Sequence, residues 1–167
     1  MKGFKQFMAL IAALSIFHSG SSLADTFLDS DKPFIAIQDE NRQAEAWGTC
    51  VATYKLMSLI QKNDSPAFSK QLSDLANGAT IALYMSYMSG ISENGDLAAR
   101  DKMGKVLMES IPDTRFTAIT AAGELTNHNE EWQGSVMATL EQCHKNLETQ
   151  QLMVDAWRNL YASGAYE

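Results

Sequence analysis

Trp47-Gly48-Thr49-Cys50-Val51-Ala52-Thr53-Tyr54-Lys55-Leu56-Met57 is the stretch that decides the fold of this chain. Trp47, Cys50, Val51, Tyr54 and Met57 recur at intervals of three and four, the spacing that stacks side chains on one face of an α-helix. The pattern predicts a helix from about Glu40 to Lys62 with that face in the core. Directly after it, Asn63-Asp64-Ser65-Pro66 ends one helix and opens the next: Ser65 stands as N-cap and Pro66 at the first helical position, where its missing N–H breaks no hydrogen bond.

The second helix carries Phe68, Leu72, Leu75, Ala76, Ala79, Leu83 and Tyr87 and is expected to stop near Gly90, read as a left-handed residue past its end. Gly78 lies inside it, where glycine costs about 1 kcal/mol relative to alanine, so close approach by a neighbouring helix is one reading and a tolerated weakness the other. Ser92-Glu93-Asn94-Gly95-Asp96 reads as a turn, Asp96 to Ser110 as a third helix, and Pro112-Asp113 as the restart into a fourth carrying Phe116, Ile119, Ala122 and Leu125. Thr126-Asn127-His128-Asn129 breaks the chain again. The longest element is then expected from Glu130 to Ala162, with Val136, Leu140, Cys143, Leu147, Val154, Trp157 and Tyr161 along one seam and a polar interruption at Gln150-Gln151. No segment shows the alternation of a strand, so the fold class is all-α: an antiparallel helical bundle of four to five helices.

Working towards the N-terminus, Asp25 to Asp39 reads as a lead-in, with Phe34, Ile35 and Ile37 available to lie against the bundle. The first 24 residues read as a secretory signal: Lys2 and Lys5, an apolar run from Phe7 to Phe17, and Ser22-Leu23-Ala24 as a small-x-small cleavage site. The apolar run is about half of what a membrane-spanning helix needs. Cleavage after Ala24 leaves 143 residues in a single helical domain, 40–167, behind its lead-in, with no membrane span and a periplasmic or secreted location. It also removes two of the 13 basic residues and none of the 20 acidic ones, giving a formal charge of −9. Without a cluster of Lys and Arg, no nucleic-acid partner is expected.

Export gives the two cysteines their meaning. Cys50 and Cys143 form an even pair in an oxidising compartment, each among the apolar positions of a long helix, so a disulfide stapling the first helix to the last is expected. A redox or metal role would call for a Cys-x-x-Cys spacing that is missing.

The chemistry on offer is sparse. Of the mature histidines, His128 sits in a loop and His144 beside Cys143 on a helix, where neighbours diverge by about 100° and do not face each other. Neither lies in a recognisable catalytic motif, and no catalytic residue is assigned. Asn94-Gly95-Asp96 lacks the ligand rhythm of a calcium loop. The methionines (Met57, Met85, Met88, Met103, Met108, Met137, Met153) read first as pliable core filler, although thioethers with a histidine can hold copper(I) or haem iron. No cofactor or metal is expected on the leading reading. Tyr84-Met85-Ser86-Tyr87-Met88 places more large apolar groups around a helix than one core contact covers, which makes Tyr84, Met85, Tyr87 and Met88 the candidate partner surface.

Tyr87-Met88-Ser89-Gly90-Ile91 resembles the helix end of small periplasmic immunity proteins against secreted bacterial toxins. The resemblance covers those five residues, and no family or function is taken from it. The sequence therefore points to an exported, non-enzymatic binding or interaction protein with a protein partner. The alternative from another class is a metal or haem carrier using Met and His ligands within the bundle.

Overall fold

In the computed structural model residues 33–90 and 95–164 are described. The stretch expected to be a signal peptide with its cleavage site, the first part of the lead-in, the first three residues of the expected Ser92–Asp96 turn and the last three residues lie outside them.

Among the described residues a 3-10 turn, Phe34–Ala36, is followed by five α-helices and no strand: α1 Glu40–Gln61, α2 Pro66–Ser89, α3 Leu97–Leu125, α4 Glu130–Lys145 and α5 Leu147–Ala162. No helix among them is long and apolar enough to cross a membrane. Helix starts follow local chemistry. Asp39 caps α1 by accepting from Asn41 N (3.0 Å) and Arg42 N (2.9 Å), Asp96 caps α3 by accepting from Ala99 N, and Asn129 caps α4 by accepting from Trp132 N. Ser65 occupies the N-cap position of α2 without a side-chain cap bond, and Pro66 stands in the first turn.

Helix α1 is the axis of the molecule. The sequence pattern predicts one buried face, but the helix is buried all round from Ala46 to Tyr54, with α2, α3 and α4 packed about it. Small residues make this possible: Ala44, Ala46 and Ala52 are buried, and a Cβ on Gly48 would run into Ile111 of α3. The buried hydroxyls are satisfied inside the helix, Thr49 donating to Glu45 O and Thr53 to Thr49 O. α1 and α2 run antiparallel: Ser58 and Ser69 exchange hydrogen bonds at one end, and Gly90 approaches Glu40 at the other.

The disulfide joins Cys50 of α1 to Cys143 of α4, with Cα atoms 5.6 Å apart and a sequence separation of 93. Cys143 lies in the segment predicted as the last long helix, so the expected staple is in place. Around it a continuous core gathers Phe34, Trp47, Val51, Tyr54, Leu72, Ala79 and Leu83.

Two helix boundaries differ from the sequence reading. The third and fourth predicted helices are one, since α3 continues through the buried Pro112. An interior proline removes one hydrogen bond and costs about 3 kcal/mol. Here Leu107 and Ile111 before it and Phe116 and Ile119 after it all pack into the core, so a break would split one buried face. Conversely, the predicted Glu130–Ala162 helix is two, broken at Asn146 rather than interrupted at Gln150-Gln151. Each half is about 24 Å long. Gly90 also departs from expectation: its φ is −81°, and a side chain there would strike Glu40 and Arg100, so space rather than left-handed backbone calls for glycine. At Gly78 the close-approach reading holds, because a Cβ would meet the side chain of Gln150, which donates to Leu75 O.

Asn146 is 2% exposed and its side chain does two jobs. Oδ1 accepts from Phe34 N at 2.7 Å, and Nδ2 donates to Gln142 O at 2.9 Å, while Gln43 Nε2 donates to Phe34 O. The two amides fasten the lead-in to α1 and to the break. Asn146→Ala leaves the buried Phe34 N–H without this acceptor and is expected to cost about 1–3 kcal/mol in urea unfolding, against about 0.5 kcal/mol or less for the exposed Asn159→Ala.

Burial also pushes the Tyr54 phenol from 10.0 up to about 12. The unfolded chain ionises this group first, so the stability it contributes is fully present below pH 10 and is lost as pH rises towards 12. By linkage the loss is about 2–3 kcal/mol, and Tyr54→Phe is expected to flatten that alkaline limb in denaturant unfolding between pH 9 and 11.5.

Candidate functional site

The segment expected to face a partner is turned largely inward. Tyr84 and Met88 are buried, at 4% and 8% exposure, and Met85 and Tyr87 are partly buried, so the four do not stand out together as one exposed patch. The wide apolar arc is real, but α1, α3 and α5 all pack against α2 and share it. Tyr84 OH donates to Asp101 Oδ1 at 2.6 Å, and the Arg100 guanidinium lies over the Tyr87 ring, 4.4 Å from its centroid, while its nitrogens donate to Tyr87 O.

Exposed apolar groups collect elsewhere, where the C-terminal half of α1 meets the start of α4. Leu56, Met57, Ile60, His128, Trp132, Gln133, Val136 and Met137 line an open cavity of about 420 Å³, with Ile60 49% and Met137 53% exposed. The α3–α4 turn builds one wall. Asn127 and His128 both take positive φ (50° and 52°), which is costly for residues with a side chain but closes the turn in four residues, with His128 N donating to Gly123 O. The His128 imidazole then meets the Trp132 indole edge to face at 4.8 Å, and Trp132 Nε1 donates to Ile119 O at 3.0 Å, which fixes the ring. A Cβ on Gly123 would lie 2.8 Å from the Trp132 ring, so the glycine makes room for it. Met137 is shared with a shallower depression along α4 lined by Gly134, Ala138, Leu140, Glu141 and His144. The two surfaces form one apolar strip.

A second concavity, about 300 Å³, is walled by Tyr84, Asp101, Lys105, Met108, Trp157 and Tyr161 from α2, α3 and α5. It is the more polar of the two. Hydrogen bonds from Lys105 and Tyr84 hold the Asp101 carboxyl below its usual range.

His128 and His144 do not face each other across any shared site, and His144 is exposed on α4 beside the disulfide-bonded Cys143. Among the described residues no group of three or more His, Cys, Asp or Glu side chains stands together as a metal site. Comparison with known protein families, with curated proteins and with solved structures finds no match to this chain.

The sequence reading singled out neither Ile60 nor Trp132 and read Met137 only with the other methionines, first as core filler. Their signal is weak because they come from two helices far apart in sequence, and each alone fits the core-facing period of its own helix. The Thr126–Asn129 break was legible, but not that its backbone would seat His128 against Trp132.

Proposed function

We propose that the chain is an exported, non-enzymatic protein-binding module of the bacterial periplasm, and that the α1–α4 strip is its contact surface. The observation that carries this reading is the open apolar cavity around Trp132, with Ile60 and Met137 standing half exposed at its rim. Clustered apolar groups of this kind, anchored by an aromatic ring, are what binding surfaces concentrate. The disulfide supports export, because such bonds persist in oxidising compartments. The rigid staple between α1 and α4 also holds the two walls of the strip together, so little conformational entropy is lost on binding.

The test is site-specific photo-crosslinking in the native envelope, with p-benzoylphenylalanine at position 137 and, as control, at the exposed position 102 of α3. One discrete adduct from position 137, absent from position 102 and lost in Ile60→Asp, supports the reading. Equal labelling from both positions, or none from 137, refutes it.

The same cavity favours a second reading. Met57, Met137 and His128 line it together, two thioethers and an imidazole, a donor set that suits copper(I). Competition with bathocuproine disulfonate separates the two: one copper(I) per chain, lost in His128→Ala and in Met137→Leu, would make the protein a metal carrier.

A further inference from the structure

The concavity between α2, α3 and α5 is a different site from the α1–α4 strip, and its chemistry is specific. At its base the Asp101 carboxylate is oriented by two donors, Tyr84 OH at 2.6 Å to Oδ1 and Lys105 Nζ at 2.7 Å to Oδ2. Tyr84 is itself held: it is buried in α2, and its ring lies so close to Gly104 that a Cβ there would stand 3.0 Å from it. Each carboxylate oxygen can accept two hydrogen bonds, and each accepts one from these partners, so the acid retains capacity on both oxygens. Beside it Trp157 and Tyr161 stack with centroids 5.6 Å apart at 21°, and Met108 completes the wall.

An ionised carboxylate next to aromatic rings selects a cation, and the acid excess of the chain, 20 against 13 basic residues, favours one further. The space, about 300 Å³, is at the small end of ligand sites and takes a side-chain-sized group. Among biological cations the guanidinium fits best: it is planar, stacks on indole and phenol rings, and presents a fork of N–H donors to a carboxylate, whereas an ammonium is a compact point charge. Lys105 occupies the acid in the free protein. Its side chain is 68% exposed and pairs with Asp101 four residues away on the same helix, an arrangement that contributes little and is easily exchanged.

We propose that this concavity is a guanidinium-binding site, in which an arginine side chain pairs with Asp101, stacks on the Trp157–Tyr161 pair and displaces Lys105. The guanidinium can reach the site as a free small molecule or on a protein segment.

The experiment titrates the full chain with N-acetyl-L-arginine amide and with a short peptide bearing one arginine, following the Trp157 indole resonance by nitrogen-15 NMR, with the lysine analogues of both as controls. Saturable binding of the arginine forms, at least tenfold tighter than the lysine forms, is expected. A free small molecule as source predicts equal affinity of amide and peptide, a protein segment tighter binding of the peptide. Asp101→Asn keeps an acceptor for Tyr84 OH, so near-UV circular dichroism should be preserved while affinity falls at least tenfold; Trp157→Leu, which removes the reporter and is followed by titration calorimetry instead, should show the same loss of affinity with its helical circular dichroism preserved. Lys105→Ala is the decisive arm. A guanidinium competing with Lys105 should bind about twofold tighter to that variant, while an anionic ligand would bind more weakly. No saturable shift at Trp157 with either arginine probe, lysine forms binding as well as arginine forms, or weaker binding to Lys105→Ala overturns the proposal.

Discussion

Cys143→Ala is expected to lower the stability of the domain by about 4 kcal/mol while leaving the helical circular dichroism of the folded protein nearly unchanged. The bond closes a loop over a separation of 93 residues, most of the described chain. In the chain-entropy account such a loop restricts the unfolded ensemble by on the order of 4–5 kcal/mol, with the smaller figure allowing for residual structure in the reduced chain. The native state loses less. Cys50 and Cys143 are fully buried, and an alanine at 143 removes one sulfur from a core still held by Trp47, Val51, Tyr54 and Leu83. Since domains of this size are typically stable by about 5–15 kcal/mol, the variant should fold at 25 °C but unfold at a far lower urea midpoint. Dithiothreitol should bring the wild-type protein to the same midpoint and leave Cys143→Ala where it is. A wild-type midpoint insensitive to the reductant would show that the bond contributes nothing.

The same bond bears on the proposed contact surface. α4 packs chiefly on α1 and only slightly on α3 and α5, so the covalent link carries much of its attachment. Reduction should therefore loosen the Trp132–Met137 wall before the α1–α2 pair, seen as faster amide exchange along α4 than along α2.

What could be read from the sequence is what local chemistry dictates. The α1–α2 boundary was legible because Asn63 to Pro66 punctuates it within four residues, and the disulfide because compartment and helical spacing both point to it. Features set by distant residues were not. Pro112 signals a restart by every local rule, and only the core contacts on both sides of it keep α3 whole. Asn146 carries no local mark as a break, since the group that its carboxamide satisfies, Phe34 N, is 112 residues away. Tyr84 to Met88 shows a third kind of limit. The width of an apolar arc reports how many neighbours a helix has, and the sequence does not say whether those are other helices of the chain or a partner. At the α1–α4 strip the difficulty is reversed: Ile60 and Met137 sit at ordinary apolar positions, and only the packing of α4 reveals that no neighbour among the described residues covers them fully.

Trp47→Ala is the side-chain truncation expected to cost most. Trp47 is fully buried on α1, in the central stretch where that helix has neighbours all round, and it meets Phe34 edge to face with centroids 4.9 Å apart at 82°. Removing a buried tryptophan costs about 3–5 kcal/mol through lost transfer energy and the cavity left behind, and the aromatic pair adds about 0.5–1.5 kcal/mol. Relaxation is poorly placed to reduce this. The core cluster of Trp47 includes Cys50 and Cys143, fixed to each other by the disulfide, and Phe34, tied by Asn146 and Gln43. Trp132→Ala serves as the comparison, since that ring is only partly buried at the edge of an open cavity; its expected cost is about 2 kcal/mol, including the lost bond to Ile119 O. Chemical denaturation of both variants and of Phe34→Leu, alone and combined with Trp47→Ala, completes the measurement. A coupling of at least about 0.5 kcal/mol between positions 34 and 47 is expected, because the lead-in docks through that contact. Additive costs would mean that the lead-in is held without help from the Phe34–Trp47 contact, and that Trp47 stabilises the bundle without regard to what precedes α1.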